Sequence, residues 1–319
     1  MRHLATRYRP AVRACGAALF LLLPACAMAH AGHAHGPAPG WLDDWWIKLL
    51  LAASAIGYAA GALRLRRAGR GGVLGARRVL AFAAGMLLLV LALLSPLDAL
   101  AERSFAAHMT QHLLLMLGAP PLLVLAQPAI AWMWCLGPER RRALARNWAS
   151  GRSALRKTLA LLLHPAVVWC SASFALWFWH IPGPYAWALA DERVHALEHA
   201  TFFLTSLAFF YLLFSPRGRA RLGHGGAILF GVSFGIQNGF LGAILTFAQH
   251  PLYAVHAMHA AHALPGAASA LSALEDQQLA GLIMWVPASL VHLALLGLLC
   301  LDWLRDEERR QGGVTATRC

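Results

Sequence analysis

Arginine and lysine are confined to short segments of this chain, and long apolar runs separate them. Of its 27 basic residues, all but Lys48, Arg103 and Arg193 fall in five places. Arg2, Arg7, Arg9 and Arg13 open the chain, and Arg64, Arg66, Arg67, Arg70, Arg77 and Arg78 form a first cluster. Arg140, Arg141, Arg142, Arg146, Arg152, Arg156 and Lys157 form a second cluster. Arg217, Arg219 and Arg221 form a third, and Arg305, Arg309, Arg310 and Arg318 lie in the tail. The runs between are about 20 residues long, the length a helix rising 1.5 Å per residue needs to cross hydrocarbon. Basic loops stay on the cytoplasmic side. The pattern therefore predicts an all-α integral membrane protein, a bundle of seven transmembrane helices following an N-terminal signal peptide. Its mature N-terminus is expected outside and its C-terminus in the cytoplasm.

Composition agrees. The chain is 59% hydrophobic and 13% charged with mean hydropathy +0.56, too apolar for a soluble domain. A net charge of +13 on one face would suggest nucleic acid; divided between apolar runs it is a topology signal, and nucleic acid is not expected as a partner. Arg-rich residues 2–13, the apolar run Ala17–Leu23 and the small-residue site Ala27-Met28-Ala29 read as a secretory leader. Cleavage after Ala29, lipidation at Cys26 and retention as a helix all place residue 30 outside. The expected organisation is 1–29 signal peptide, 30–44 His-rich extracytoplasmic tail, 45–303 membrane domain and 304–319 cytoplasmic tail.

Spans are expected near 45–63, 79–97, 113–136, 158–180, 195–214, 226–247 and 278–303. Trp41, Trp45, Trp46, Trp177, Trp179 and Trp187 fall at outer ends, Trp134 and Trp303 near inner ones, as an interfacial aromatic belt requires. Pro120, Pro121 and Pro128 interrupt an apolar run that begins near Phe105, so no straight helix is expected to reach Cys135. The six cysteines are scattered and do not read as a disulfide framework.

This orientation sorts the histidines. Of 16, the residues at 30, 33, 35, 108, 112, 180, 195, 199, 250, 256, 259 and 262 fall on or near the outer face. Histidine is the commonest ligand for borderline metals and also a proton carrier. His108 and His112, and His195 and His199, are each four apart, so each pair shares one helix face and can offer two imidazoles to one ion. Two such pairs arise easily by chance among so many histidines, and a histidine at a helix end is more often a hydrogen-bonded interfacial residue. What distinguishes these is a shared side and depth, with His180 at a third helix mouth level with them. Glu198 lies three residues past His195 and is placed to orient an imidazole; Met109 and Met116 add thioethers near the first pair. His30, His33 and His35, and His256, His259 and His262, read as accessory metal-capturing groups. The acids divide between outer and inner loops with none placed mid-membrane, which argues against a proton-driven transport relay.

Four stretches carry a resemblance. Ser95-Pro96-Leu97-Asp98 leads to Ala107-His108-Met109-Thr110-Gln111-His112 and Ala119-Pro120-Pro121. Trp179-His180-Ile181-Pro182 precedes Val194-His195-Ala196-Leu197-Glu198-His199. Pro251-Leu252-Tyr253 follows, then Leu274-Glu275-Asp276-Gln277-Gln278-Leu279-Ala280-Gly281 running to Trp285. As an ordered set, covering roughly 41–305, they resemble the CtaG family of bacterial cytochrome c oxidase assembly factors, multi-spanning proteins associated with copper supply. The resemblance implies that His108, His112, His180, His195 and His199 stand at the family's recurring histidine positions and Asp276-Gln277-Gln278 at its hallmark. It further implies a non-enzymatic role in a bacterial inner membrane, with cytochrome c oxidase subunits and a periplasmic copper chaperone as partners besides lipid. Copper is the expected metal. Rival readings are a scaffold that binds no metal, a di-iron membrane enzyme, a bis-histidine haem protein and a copper permease.

Overall fold

A computed structural model describes residues 45–150, 153–253 and 271–316, and among these residues the fold is entirely helical. Helices α1 (Trp45–Arg67) and α2 (Ala76–Leu93) form a peripheral pair. The short α3 (Pro96–Ala101) starts where Ser95 Oγ accepts from the Leu97 amide at 3.1 Å, with Pro96 in the first turn where its missing N–H costs nothing. Ser104 likewise caps α4 (Phe105–Leu113), its Oγ accepting from the Ala107 amide.

The next span is broken where the prolines foretell. A π turn over Leu114–Gly118 joins α4 to α5 (Ala119–Ala126), whose first turn carries Pro120 and Pro121. Proline clashes with the carbonyl four residues back, and a π turn opens the ladder at that point. Gln127 then takes a left-handed conformation, φ 52°, and α6 (Pro128–Cys135) begins anew. The expected span 113–136 needs correction at its start. Because Ser104 caps the helix, the span runs from 105, and His108 and His112 sit inside it rather than at its mouth.

Five of the remaining helices lead back across the bundle after α7 (Pro138–Ala149). These are α8 (Ala154–Leu162), α9 (Pro165–Trp179), α10 (Pro182–Ala190), α11 (Glu192–Phe214) and α12 (Pro216–Thr246). The last described helix is α13 (Ala273–Ala316). Among the described residues six helices are long and apolar enough to cross a membrane, or seven if α8 and α9, bent by 61° at the break between Leu162 and Pro165, count as one. Large apolar side chains such as Leu80, Leu229, Ile236, Phe240, Leu290 and Leu293 remain exposed along these helices. A soluble protein does not display so much contiguous apolar surface; lipid is its natural covering. This is a multi-pass membrane protein. The signal peptide, the tail with His30, His33 and His35, and the loop with His256, His259 and His262 lie outside the described residues.

Packing brings the last two helices very close. Gly231, Gly235 and Gly239 recur every four residues along α12 and meet side chains of α13, with His292 against Gly235 and Trp285 against Gly239. A Cβ on Gly281 would lie 2.5 Å from the Thr246 amide nitrogen, and one on Gly242 would lie 2.8 Å from Trp285 Cβ. Small residues let helix backbones approach where lipid provides no hydrophobic drive for association. This crossing sets the height of α13.

The basic clusters meet at one end. Arg64 donates to the carbonyl of Trp134 at 3.4 Å, and Arg70 and Arg141 lie over the Trp134 ring. Arg221 donates to the Leu163 carbonyl, and Arg219 pairs with Asp302. The histidine pairs lie near the opposite ends of their helices.

Candidate metal centre

Helix α4 contributes His108 and His112, α11 contributes His195, Glu198 and His199, and His180 follows the last residue of α9. The four-residue spacing stacks each pair on one face, with ring centroids 4.3 Å apart for His108/His112 and 4.2 Å for His195/His199. The two faces point at each other. His108 lies 5.4 Å from His195, and His112 lies 5.4 Å from His199, centroid to centroid.

Glu198 completes the arrangement, its carboxylate turned into the bundle between the facing pairs. It is wholly buried, with Oε2 3.8 Å from His108 Nε2 and Oε1 3.7 Å from His112 Nε2. Those separations are too long for hydrogen bonds. Two overlapping sets bring one donor atom each within 4.8 Å of the others: His108, His195 and His199, and His108, His112 and Glu198. The histidines were expected on or near the outer face of the membrane; within the bundle His108 and His112 are 0% and 3% exposed. Helical spacing shows which residues share a face, but not what covers that face.

The telling fact is what these atoms lack. Nε2 of His108, His112, His180, His195 and His199 and both oxygens of Glu198 are buried with no hydrogen-bond partner among the described residues. Each buried polar atom left unpaired costs about 1–3 kcal/mol, and so many converging in one place suit a bound ion or ordered water. Imidazole nitrogens and a carboxylate are a donor set for a borderline transition metal. The residues fit a metal ion; its identity is not fixed by imidazole and carboxylate alone.

The surroundings hold α4 in place. Asp276, at the start of α13, accepts from Ser104 Oγ at 2.8 Å, from the Phe105 amide at 2.6 Å and from the Ala106 amide at 3.2 Å. A carboxylate at a helix N-terminus satisfies free amides and complements the helix dipole. Asp276 therefore anchors the helix that carries His108 and His112 and makes no contact with their rings. Gln277 Oε1 accepts from the Leu252 amide at 2.6 Å, and Gln278 Nε2 donates to the Ala248 carbonyl at 3.1 Å, fastening the preceding loop. Tyr253 in that loop donates to the His180 carbonyl at 2.8 Å and packs on Phe105 and Tyr185. Behind His108 and His112, Gln111 donates to both the Ala92 carbonyl and Asp98, each at 2.7 Å. Met109 is buried beside His112 and lines a small cavity with it. Sequence reasoning missed the roles of Gln111, Asp98 and Tyr253. All three stand in the stretches that carry the family resemblance, but nothing in those stretches assigned them a partner.

Fold and site together define a class: a polytopic helical membrane protein with a buried histidine–carboxylate centre near one end of the bundle. Residues 56–306 match the family described as cytochrome c oxidase caa3 assembly factor (Caa3_CtaG), and the chain belongs to that family. It is also similar to uncharacterized proteins of Mycobacterium bovis and Mycobacterium tuberculosis, each 27% identical over 283 residues. That similarity takes in 84% of this chain and 40% of theirs, so the chain spans about two fifths of the length of these curated relatives. No solved structure matches it.

Proposed function

We propose that this protein assists assembly of a haem–copper cytochrome c oxidase by holding copper, as cargo, at the centre built from His108, His112, His195, Glu198 and His199. One observation carries the reading: facing imidazoles and a carboxylate, buried together with their donor atoms unpaired. Family membership supports the oxidase as client. The basic ends of the helices support a cytoplasmic location for that end and an extracytoplasmic, periplasmic-side location for the centre, in a bacterial inner membrane. On this reading the oxidase subunits and a copper chaperone are partners.

The chain's own residues supply three things. Asp276 fixes the height of α4, Tyr253 and Tyr185 exclude water, and the facing pairs leave more imidazoles than one ion needs. Surplus ligands permit transfer by exchange, one ligand replacing another without a bare ion.

The test is copper content of the purified protein after reconstitution, with His108→Ala and His199→Ala beside it. Loss of bound copper in both variants, with helical content unchanged, is expected. Unchanged stoichiometry would remove the shared centre. In that event oxidase assembly unaffected by added copper would favour a scaffold.

A further inference from the structure

His180 was grouped by its position with the other four histidines, but it belongs to neither of the two close sets of donor atoms. Its ring neighbours that of His112, centroids 6.3 Å apart. There it lines a separate cavity of about 20 Å³, on the order of one water or ion, together with His112 and the side chains of Met109, Met116 and Met284. The three methionines come from α4, the π turn and α13, and all are buried.

His180 is prepared as a ligand. Its Nδ1 lies 2.6 Å from the Leu176 carbonyl, an atom that can only accept, so Nδ1 bears the proton. Nε2 therefore keeps its lone pair, and it is buried with no hydrogen-bond partner among the described residues. Fixing a histidine's tautomer through a backbone carbonyl is how metal-binding imidazoles are oriented. Methionine alone would be ordinary core filling. Three methionines and two histidines lining one cavity offer a donor set of a different softness from the histidine–glutamate centre next door.

We propose that His180 and the thioethers of Met109, Met116 and Met284 form a second metal subsite, selective for a soft monovalent cation such as Cu(I), with His112 standing between it and the histidine–glutamate centre. The inference rests on the metal-handling reading above and adds to it a division of labour. Thioethers favour Cu(I), whereas imidazole and carboxylate also take Zn(II) and Co(II). The chain thus offers two adjoining compartments that discriminate by softness, with one imidazole common to both walls.

The experiment uses the full-length protein in detergent, titrated separately with Cu(I) under reducing conditions and with Co(II). X-ray absorption is recorded at the copper edge of the wild type. Sulfur scatterers in the Cu(I) shell are expected. In Met109→Leu/Met116→Leu/Met284→Leu, which nearly conserves volume, Cu(I) affinity should fall at least tenfold while Co(II) binding is retained. Retained Co(II) binding also certifies the fold of the variant. Cu(I) held only by nitrogen and oxygen in the wild type, or affinity unmoved in the triple variant, overturns the soft subsite and leaves the first centre standing. Failure of the wild type to bind either metal overturns both.

Discussion

Two histidine–carboxylate pairs occupy opposite ends of the bundle. His224 and Asp306 meet at 3.1 Å with side chains 25% and 41% exposed; His108 and Glu198 stand 3.8 Å apart with both at 0%. The exposed pair is the closer one, in hydrogen-bonding contact and accessible to solvent. The buried pair, carried on α4 and α11, stands beyond hydrogen-bonding reach. An ion pair at the surface contributes little and can be relaxed by water. A buried acid and imidazole without mutual contact destabilise the fold unless something else occupies the gap. The same two functional groups, an imidazole and a carboxylate, thus stand in opposite settings: one pair dresses a basic surface, the other is buried without mutual contact.

That contrast can be broken most directly at Glu198. Glu198→Gln should weaken metal binding at least by the roughly 10–100-fold typical of losing even an outer partner of a metal ligand. The same change should raise the thermal stability of the metal-free protein by about 1–3 kcal/mol, because a buried carboxylate is removed. Metal titration and melting of one preparation check both, and a destabilised metal-free variant would show Glu198 to be a structural acceptor.

Asp98 is the intermediate case, partly buried at the site end in a short helix between spans. Burial is the main force on its carboxyl, which is pushed up to about 6 from 3.8; the Gln111 hydrogen bond opposes the rise, and Glu102 and Glu192 add to it. A folded-state value above the unfolded one means that the contribution is complete below 3.8 and is lost as pH rises through about 6. Stability should decline by on the order of 2 kcal/mol across that window, and Asp98→Asn should flatten the decline. Melting curves between these pH values decide it.

Smaller effects lie further out. Asp276→Ala should cost about 1–2 kcal/mol as a lost helix cap and weaken metal binding without touching a ligand; calorimetry with metal titration reads both. Asp306→Ala should change stability by less than about 1 kcal/mol and leave metal affinity unaltered, measured the same way.

Much of this was legible in the sequence. Apolar runs between basic clusters marked the spans, Pro120, Pro121 and Pro128 marked the broken helix, and four-residue spacing marked both histidine pairs. What spacing cannot express is the third dimension. It paired His195 with His199 but not with His108, and it set Glu198 beside His195 without showing that the carboxylate also comes near His108 and His112. Met284 lay far from Met109 and Met116 in the chain, and the packing of α13 against α4 and α12 brings it to them. His180 read as one of five equivalent histidines, since position along a helix says nothing of which wall of a neighbour it faces.

The Asp276 clamp has a consequence in time. It joins residues separated by 172 positions, the first turn of α4 and the first turn of the last helix. During synthesis His108 and His112 emerge long before the carboxylate that steadies their helix. The first turn of α4 therefore gains its carboxylate partner only once α13 has been made, so bracing of the helix that carries His108 and His112 is a late event in folding.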